Sequence, residues 1–160
     1  NSISQLLKTN ENSILEKINS LNNDKKQVEK ELNNLKNKNL SSFDQSENII
    51  KIRNIKFISK VLNNIPPNNL KGIVDNYLVK ETNCVTALLS VDGKKISLVV
   101  GVTNDLSHKI NAIDLVKIGS SIFGGKGGGG RPTMAQSGGS DINATQKTID
   151  GLVAYIKNLN

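Results

Sequence analysis

The sequence predicts an α+β fold: a helical (coiled-coil) arm over residues 1–42, then a small globular α/β domain over residues 43–160 with a mixed sheet and a Gly-rich loop. Three observations carry this expectation. Residues 1–42 contain neither Gly nor Pro, and Leu7, Ile14, Leu21, Val28 and Leu35 recur every seven residues. From Asp44 onward, apolar runs of strand length alternate with stretches of helical periodicity. Between them and a last helical stretch lies GGKGGGGRPTMAQSGG, residues 124–139, which gathers most of the chain's 13 glycines.

The elements follow in order. In the arm, Ile18 and Leu32 fill the second seam of a 3.5-residue period, whereas Glu11 and Lys25 occupy other positions of it. A coiled-coil arm, a helical hairpin turning near Asn22-Asn23-Asp24 and a solvated spacer helix all fit. Ile50 and Ile52 alternate, and Ile55, Phe57 and Val61 continue on shifted parity, which reads as a strand with a bulge. Pro66-Pro67-Asn68 breaks that strand and starts a helix bearing Leu70, Ile73, Val74, Tyr77 and Leu78. Residues 84–91 and 94–102 are apolar, β-branched runs joined by Asp92-Gly93, a favoured hairpin turn. Little alternation survives in them, so both sheet faces are expected to be covered. Asn111 caps a helix carrying Ala112, Leu115, Val116, Gly119, Ile122 and Phe123, which ends at Gly124. A terminal helix through Ile142, Thr145, Ile149, Leu152, Val153 and Ile156 is weakened by Gly151.

Charge and composition narrow the function. The formal net charge of +7 favours acidic partners, either nucleic acid or anionic lipid. One cysteine, Cys84, reads as a buried reduced thiol, and with a single His108 a Cys/His zinc site is not expected. No run of 18 apolar residues suggests a membrane span. The chain does not begin with Met and starts inside a polar helical pattern, so it reads as a piece of a longer protein. His108 lies beside Ser107 and Asp105, but neighbours in sequence rarely converge as a catalytic triad. The acidic residues are scattered and form no metal-ligand cluster. Catalysis by this chain is therefore not expected.

The glycine run admits several ligands. Its backbone has almost no side chains, so successive N–H groups can face an anion, with Lys126 and Arg131 adding charge. Gly125, Gly127 and Gly130 fit the spacing of a dinucleotide fingerprint, with Asp150 downstream, but that mechanism needs a preceding strand and a helix precedes here. A Walker loop fails because Gly127, not Ser or Thr, follows Lys126. A flexible linker has no need of Met134 or Gln136. Contact with a nucleic-acid backbone fits as well. No aromatic lies in the run, so phosphate and shape readout is favoured over base stacking.

The run strongly resembles a signature near the C-terminus of alanyl-tRNA synthetases, close to GGKGGGRPDMAQAGG, in the DHH-associated domain shared with RecJ-like phosphoesterases. The preceding helix and hairpin, the terminal helix and the N-terminal arm match that family's C-terminal (C-Ala) domain, so the resemblance covers nearly the whole chain. Two departures stand out: one extra glycine, and Thr133 where Asp is usual. The resemblance implies binding of the outer corner, or elbow, of tRNA(Ala), and a link between aminoacylation and editing domains of a cytoplasmic, ATP-dependent ligase. ATP and the editing zinc belong to domains absent here, so no cofactor is expected in this chain. Under this reading Lys126 and Arg131 contact phosphates, and Gly125, Gly127, Gly128, Gly129 and Gly130 permit close backbone approach. Gln136 bonds ribose or a base edge. Lys94, Lys95 and Lys109 form a supporting basic rim or simply a solvated turn and loop. Met134 reads as packing. Two alternatives remain: a dimerisation or bridging module acting through the heptads, as in some family members, and the substrate-binding half of a RecJ-like phosphoesterase.

Overall fold

The computed structural model describes the backbone of residues 13–41 and 47–159, and the side chains of residues 13–31 and 47–159. The chain divides into two units, residues 1–42 and 43–160. In the first, α1 (Ile14–Ser41) is one uninterrupted helix through Asn22-Asn23-Asp24, so the hairpin alternative does not hold. The reason is energetic: Asn in a helix costs only about 0.7 kcal/mol relative to Ala, far less than the Gly or Pro that would stop propagation. Lys25 and Glu29 stand one turn apart at 3.9 Å. Of the seven-residue seam, Leu7 and Glu11 and the side chains of Leu32 and Leu35 lie outside the described residues. Ile18, Leu21 and Val28 are exposed.

The second unit runs β1 (Asn48–Ile52), β2 (Ile55–Asn63), α2 (Pro67–Lys80), β3 (Cys84–Asp92), β4 (Lys95–Val102), α3 (Ala112–Ile122), β5 (Gly128–Arg131), β6 (Met134–Gly139) and α4 (Thr145–Asn158). The strands make one sheet in the order β1-β2-β3-β4-β6-β5. Only β2 and β3 are parallel, with α2 as their crossover; the other neighbours are antiparallel. The mixed sheet is thus as expected, and β3 is buried from Cys84 through Ser90 on both faces.

Each face has its own apolar layer. On one side Leu70 and Val74 of α2 pack with Leu88, Val99 and Met134. On the other, α3 and α4 cover Phe57, Leu89, Leu98 and Val100 with Leu115, Phe123, Leu152 and Ile156. Two small residues set these distances. A Cβ at Gly101 would stand 2.3 Å from Val74 Cγ1, so α2 lies directly on β4. A Cβ at Gly151 would stand 2.6 Å from Ile122 Cδ1. Gly151 therefore weakens the helix locally but lets α3 and α4 cross closely.

Three turns differ from expectation. The bulged strand is two strands, β1 and β2, folded back at Arg53-Asn54 with Ile52 opposite Ile55. Arg53 takes φ 54°, a left-handed conformation that costs a non-glycine about 1–2 kcal/mol. Its guanidinium donates to the Leu159 carbonyl at 2.7 Å and the Lys157 carbonyl at 3.4 Å, which offsets that cost and favours the helix end. The next hairpin turns at Gly93-Lys94, one residue later than expected, with Asp92 opposite Lys95. Gly93 takes φ 57° at the first central position, where a type II′ turn wants glycine. Third, the second half of the glycine run is a hairpin rather than a loop: β5 and β6 pair antiparallel around Pro132-Thr133.

The helix starts are as the sequence implies. Pro67 opens α2 at its first turn, where a missing N–H costs nothing. Asn111 Oδ1 accepts the Ile113 N–H at 2.9 Å at the start of α3, a cap worth about 1 kcal/mol. Among the described residues no helix is long and apolar enough to cross a membrane.

Candidate functional site

The glycines of the run serve different purposes. After α3 the chain turns back onto it, and Ser120, 1% exposed, holds the turn. Its carbonyl accepts the Gly125 N–H at 2.8 Å and its hydroxyl accepts the Gly127 N–H at 2.9 Å. Two of the N–H groups that an open loop would offer a ligand are therefore engaged internally. A Cβ at Gly125 would meet the Gly138 carbonyl oxygen at 2.3 Å, and one at Gly128 the Gln136 carbonyl oxygen at 2.6 Å. At Gly130 it would meet the Met134 carbonyl oxygen at 2.3 Å. These three positions must be glycine for the hairpin to close. Gly127 needs its φ of 108°. Gly129 has none of these reasons: its φ is outside the left-handed region, and a Cβ there would have no atom within 4 Å.

Gly129 instead opens onto a groove of about 590 Å³ between α2 and the β5–β6 hairpin. Gly129 pairs with Gln136 and Arg131 with Met134, which places all four on the sheet face that α2 covers. Met134 is 8% exposed and forms the apolar floor with Leu70 and Val74, so it is a packing residue as expected. Lys71 and Asp75, one turn apart on α2, form the opposite wall. Among the described residues, the side chains of Lys71, Asp75, Arg131 and Gln136 make no hydrogen bond or ion pair. Two cations, a carboxylate and an amide thus face one open concavity, Asp75, Arg131 and Gln136 exposed and Lys71 half-buried.

The other expected site residues fall elsewhere. Lys126 is exposed on the stretch before β5, five residues from Arg131 and so up to about 16 Å away along an extended chain. Lys94 and Lys95 are exposed at the β3–β4 turn. Lys95 adjoins Ile96, which faces Gly139, whereas Met134 faces Gly101. That separation along β4 is about 20 Å. Lys109 lines a second groove of about 310 Å³ with Arg53, Asn83 and Ile156. The structure therefore gathers Gly129, Gly130, Arg131 and Gln136, and leaves the lysines of the rim apart.

Lys71 and Asp75 escaped the sequence reading. The available signal was their i, i+4 spacing beside Leu70 and Val74, which puts them on one flank of the helix. Nothing in the sequence says which strand that flank meets. Ser107, His108 and Asp105 form no triad: the Ser107 hydroxyl donates to the Asn104 carbonyl at 2.8 Å, and Asp105 accepts the Asn83 N–H at 2.7 Å. The Thr103 hydroxyl, then that N–H, hold the Asp105 carboxyl below its ordinary range. Burial pushes the Cys84 thiol up, keeping it protonated and unreactive. Among the described residues no three His, Cys, Asp or Glu side chains gather as a metal site.

Residues 54–158 match the DHHA1 domain family. Over 134 residues the chain is 40% identical to an alanine–tRNA ligase of Paramagnetospirillum magneticum, covering 84% of this chain and 15% of that protein. Over 146 residues it is 42% identical to an alanine–tRNA ligase of Haemophilus influenzae, covering 90% of this chain and 17% of that protein. The chain thus spans about a sixth of the length of these relatives. The C-Ala domain of Aquifex aeolicus alanyl-tRNA synthetase superposes with a TM-score of 0.67 at 24% identity. That likeness covers 69% of this chain and 99% of the Aquifex domain, and it shows the shared fold.

Proposed function

The chain belongs to the DHHA1 domain family in the form that alanine–tRNA ligases carry, and on that premise we propose that it is a non-catalytic module that binds tRNA(Ala). The observation that carries the reading is the groove, with Lys71, Arg131, Gln136 and Asp75 converging unpaired over Gly129. Arg131 presents a forked cation and Lys126 a second, separate one, a spacing suited to two phosphates rather than to a single small anion. Gly129 lets the sugar-phosphate chain approach the strand closely. The family resemblance makes the tRNA elbow the surface contacted, and a link between aminoacylation and editing the purpose of holding it. The ligase chemistry, with its ATP and zinc, belongs to other parts of the parent protein.

Salt dependence tests this directly. Alanine at both Lys126 and Arg131 is expected to weaken tRNA(Ala) binding about tenfold, or ~1.4 kcal/mol. It should also reduce the slope of log K against log salt by about 1–2, one contact's worth of released counterion per lost charge. A double variant with the parent's affinity and slope sinks the assignment.

The arm supports a second role. Ile18, Leu21 and Val28 expose a heptad seam on α1, which suits pairing with a second copy. The 160-residue chain is then expected to sediment as a dimer, and residues 43–160 alone as a monomer. A monomer in both cases rules out pairing through α1.

A further inference from the structure

Building on the tRNA-binding reading, we propose that the groove is a single-nucleotide pocket whose Asp75 and Gln136 read the Watson–Crick edge of a guanine while Arg131 and Lys71 hold its phosphate. The starting point is the carboxylate. A cradle for phosphate alone has no use for Asp75, which repels the charge that Lys71 and Arg131 attract. Asp75 nevertheless lines the same concavity, exposed and in no ion pair among the described residues. An ionised carboxylate accepts hydrogen bonds and donates none, so the nucleotide must bring N–H groups to it.

The four bases differ in what they can bring. Guanine presents a ring N–H and an amino group side by side, matching both carboxylate oxygens. Adenine and cytosine place a ring nitrogen acceptor beside their amino group, and that lone pair faces the second oxygen. Uracil offers one N–H flanked by two carbonyls. The complementary base is therefore guanine. Gln136 carries a donor and an acceptor on the facing strand, and its amide can serve the guanine carbonyl. No aromatic lines the groove, so edge hydrogen bonding and not stacking must supply the selectivity. The bare Gly129 backbone leaves room for the ribose or ring to lie against β5.

The test titrates the 160-residue chain with 5′-GMP, AMP, CMP and UMP, following amide resonances of α2, β5 and β6. GMP is expected to bind at least about fivefold tighter than the other three. Asp75→Ala should reduce GMP to their level, whereas Arg131→Ala should weaken all four alike. Asp75→Asn, which keeps the shape of the side chain, should lose most of the preference and guards against misfolding of the alanine variant. Equal affinities for the four nucleotides overturn the pocket. So does an Asp75→Ala chain that binds all four more tightly, or the absence of any shift at about 10 mM nucleotide. None of those outcomes touches the tRNA salt titration, which decides the broader reading separately.

Discussion

A Gly130→Val chain is expected to lose about 3 kcal/mol of stability and all measurable tRNA binding, the strongest functional effect of any single change in the hairpin. The Cβ alone would stand 2.3 Å from the Met134 carbonyl oxygen and 2.5 Å from Ala135 Cα. Both are backbone atoms of β6, which is pinned by its pairing to β4 and cannot withdraw. The valine must instead push β5 off the sheet, and Arg131 leaves the groove with it. Gly129→Val supplies the comparison one residue away. There the new Cβ meets nothing within 4 Å, so the fold should change by no more than about 0.5 kcal/mol. Its methyls would fill the groove mouth, and tRNA affinity should still fall about tenfold. Urea melts and tRNA titrations of both variants check the pair. A Gly129→Val chain that binds tRNA like the parent would falsify a close approach at this strand.

The contrast between those two glycines shows where sequence reading stops. Six adjacent residues, 125–130, look like one flexible loop because glycine is depleted in strands. Yet four residues of the run pair as an edge strand, and the reasons for Gly125, Gly128 and Gly130 come from residues four to thirteen positions away that only the folded hairpin brings into contact: Ser120, Gly138, Gln136 and Met134. Local signals did better where the physics is local. Pro67 and Asn111 mark helix starts because a missing N–H or a capping oxygen acts within one turn. Arg53 hid the β1–β2 turn because a left-handed arginine carries no sequence mark, and its carbonyl partners lie at the other end of the chain. The family signature located Arg131 and Gln136 but not the α2 wall. The pairing also clarifies the extra glycine. Arg131 faces Met134 across a two-residue turn, so the register of β5 is counted from that end. An added residue on the Lys126 side of β5 is compatible with that pairing and would leave Arg131 and Gln136 in place.

Phe123→Ala is expected to destabilise the globular unit by about 3–5 kcal/mol, a large part of the 5–15 kcal/mol typical of a domain. The ring is fully buried at the end of α3, and it fills the space between that helix and the far end of β6. A Cβ at Gly139 would stand 2.3 Å from Phe123 Cδ2, and one at Gly119 would stand 3.3 Å from Cε1. Gly139 is thus shaped around the ring, while a Cβ at Gly119 would lie closer still to Leu98 Cδ2, at 2.4 Å, so removal of the ring leaves a cavity against β6 that a glycine cannot fill. The Phe123 carbonyl accepts both the Ser140 N–H at 3.1 Å and the Asp141 N–H at 3.0 Å, main-chain bonds that alanine keeps, so the loss is one of packing alone. The urea midpoint should drop with an unchanged slope. Phe123→Leu, which restores most of the volume, should cost less than about 1.5 kcal/mol. Function should follow position. The wedge lies at the end of the hairpin that holds residues 124–127, so a loosened but folded chain loses the Lys126 contact while Arg131 stays seated beside α2. The salt slope for tRNA should then fall by about 1, half the change expected of the Lys126 and Arg131 double variant. A fall as large as the double variant's would mean that the ring supports the whole hairpin. An unchanged slope would place Lys126 outside the RNA contact altogether.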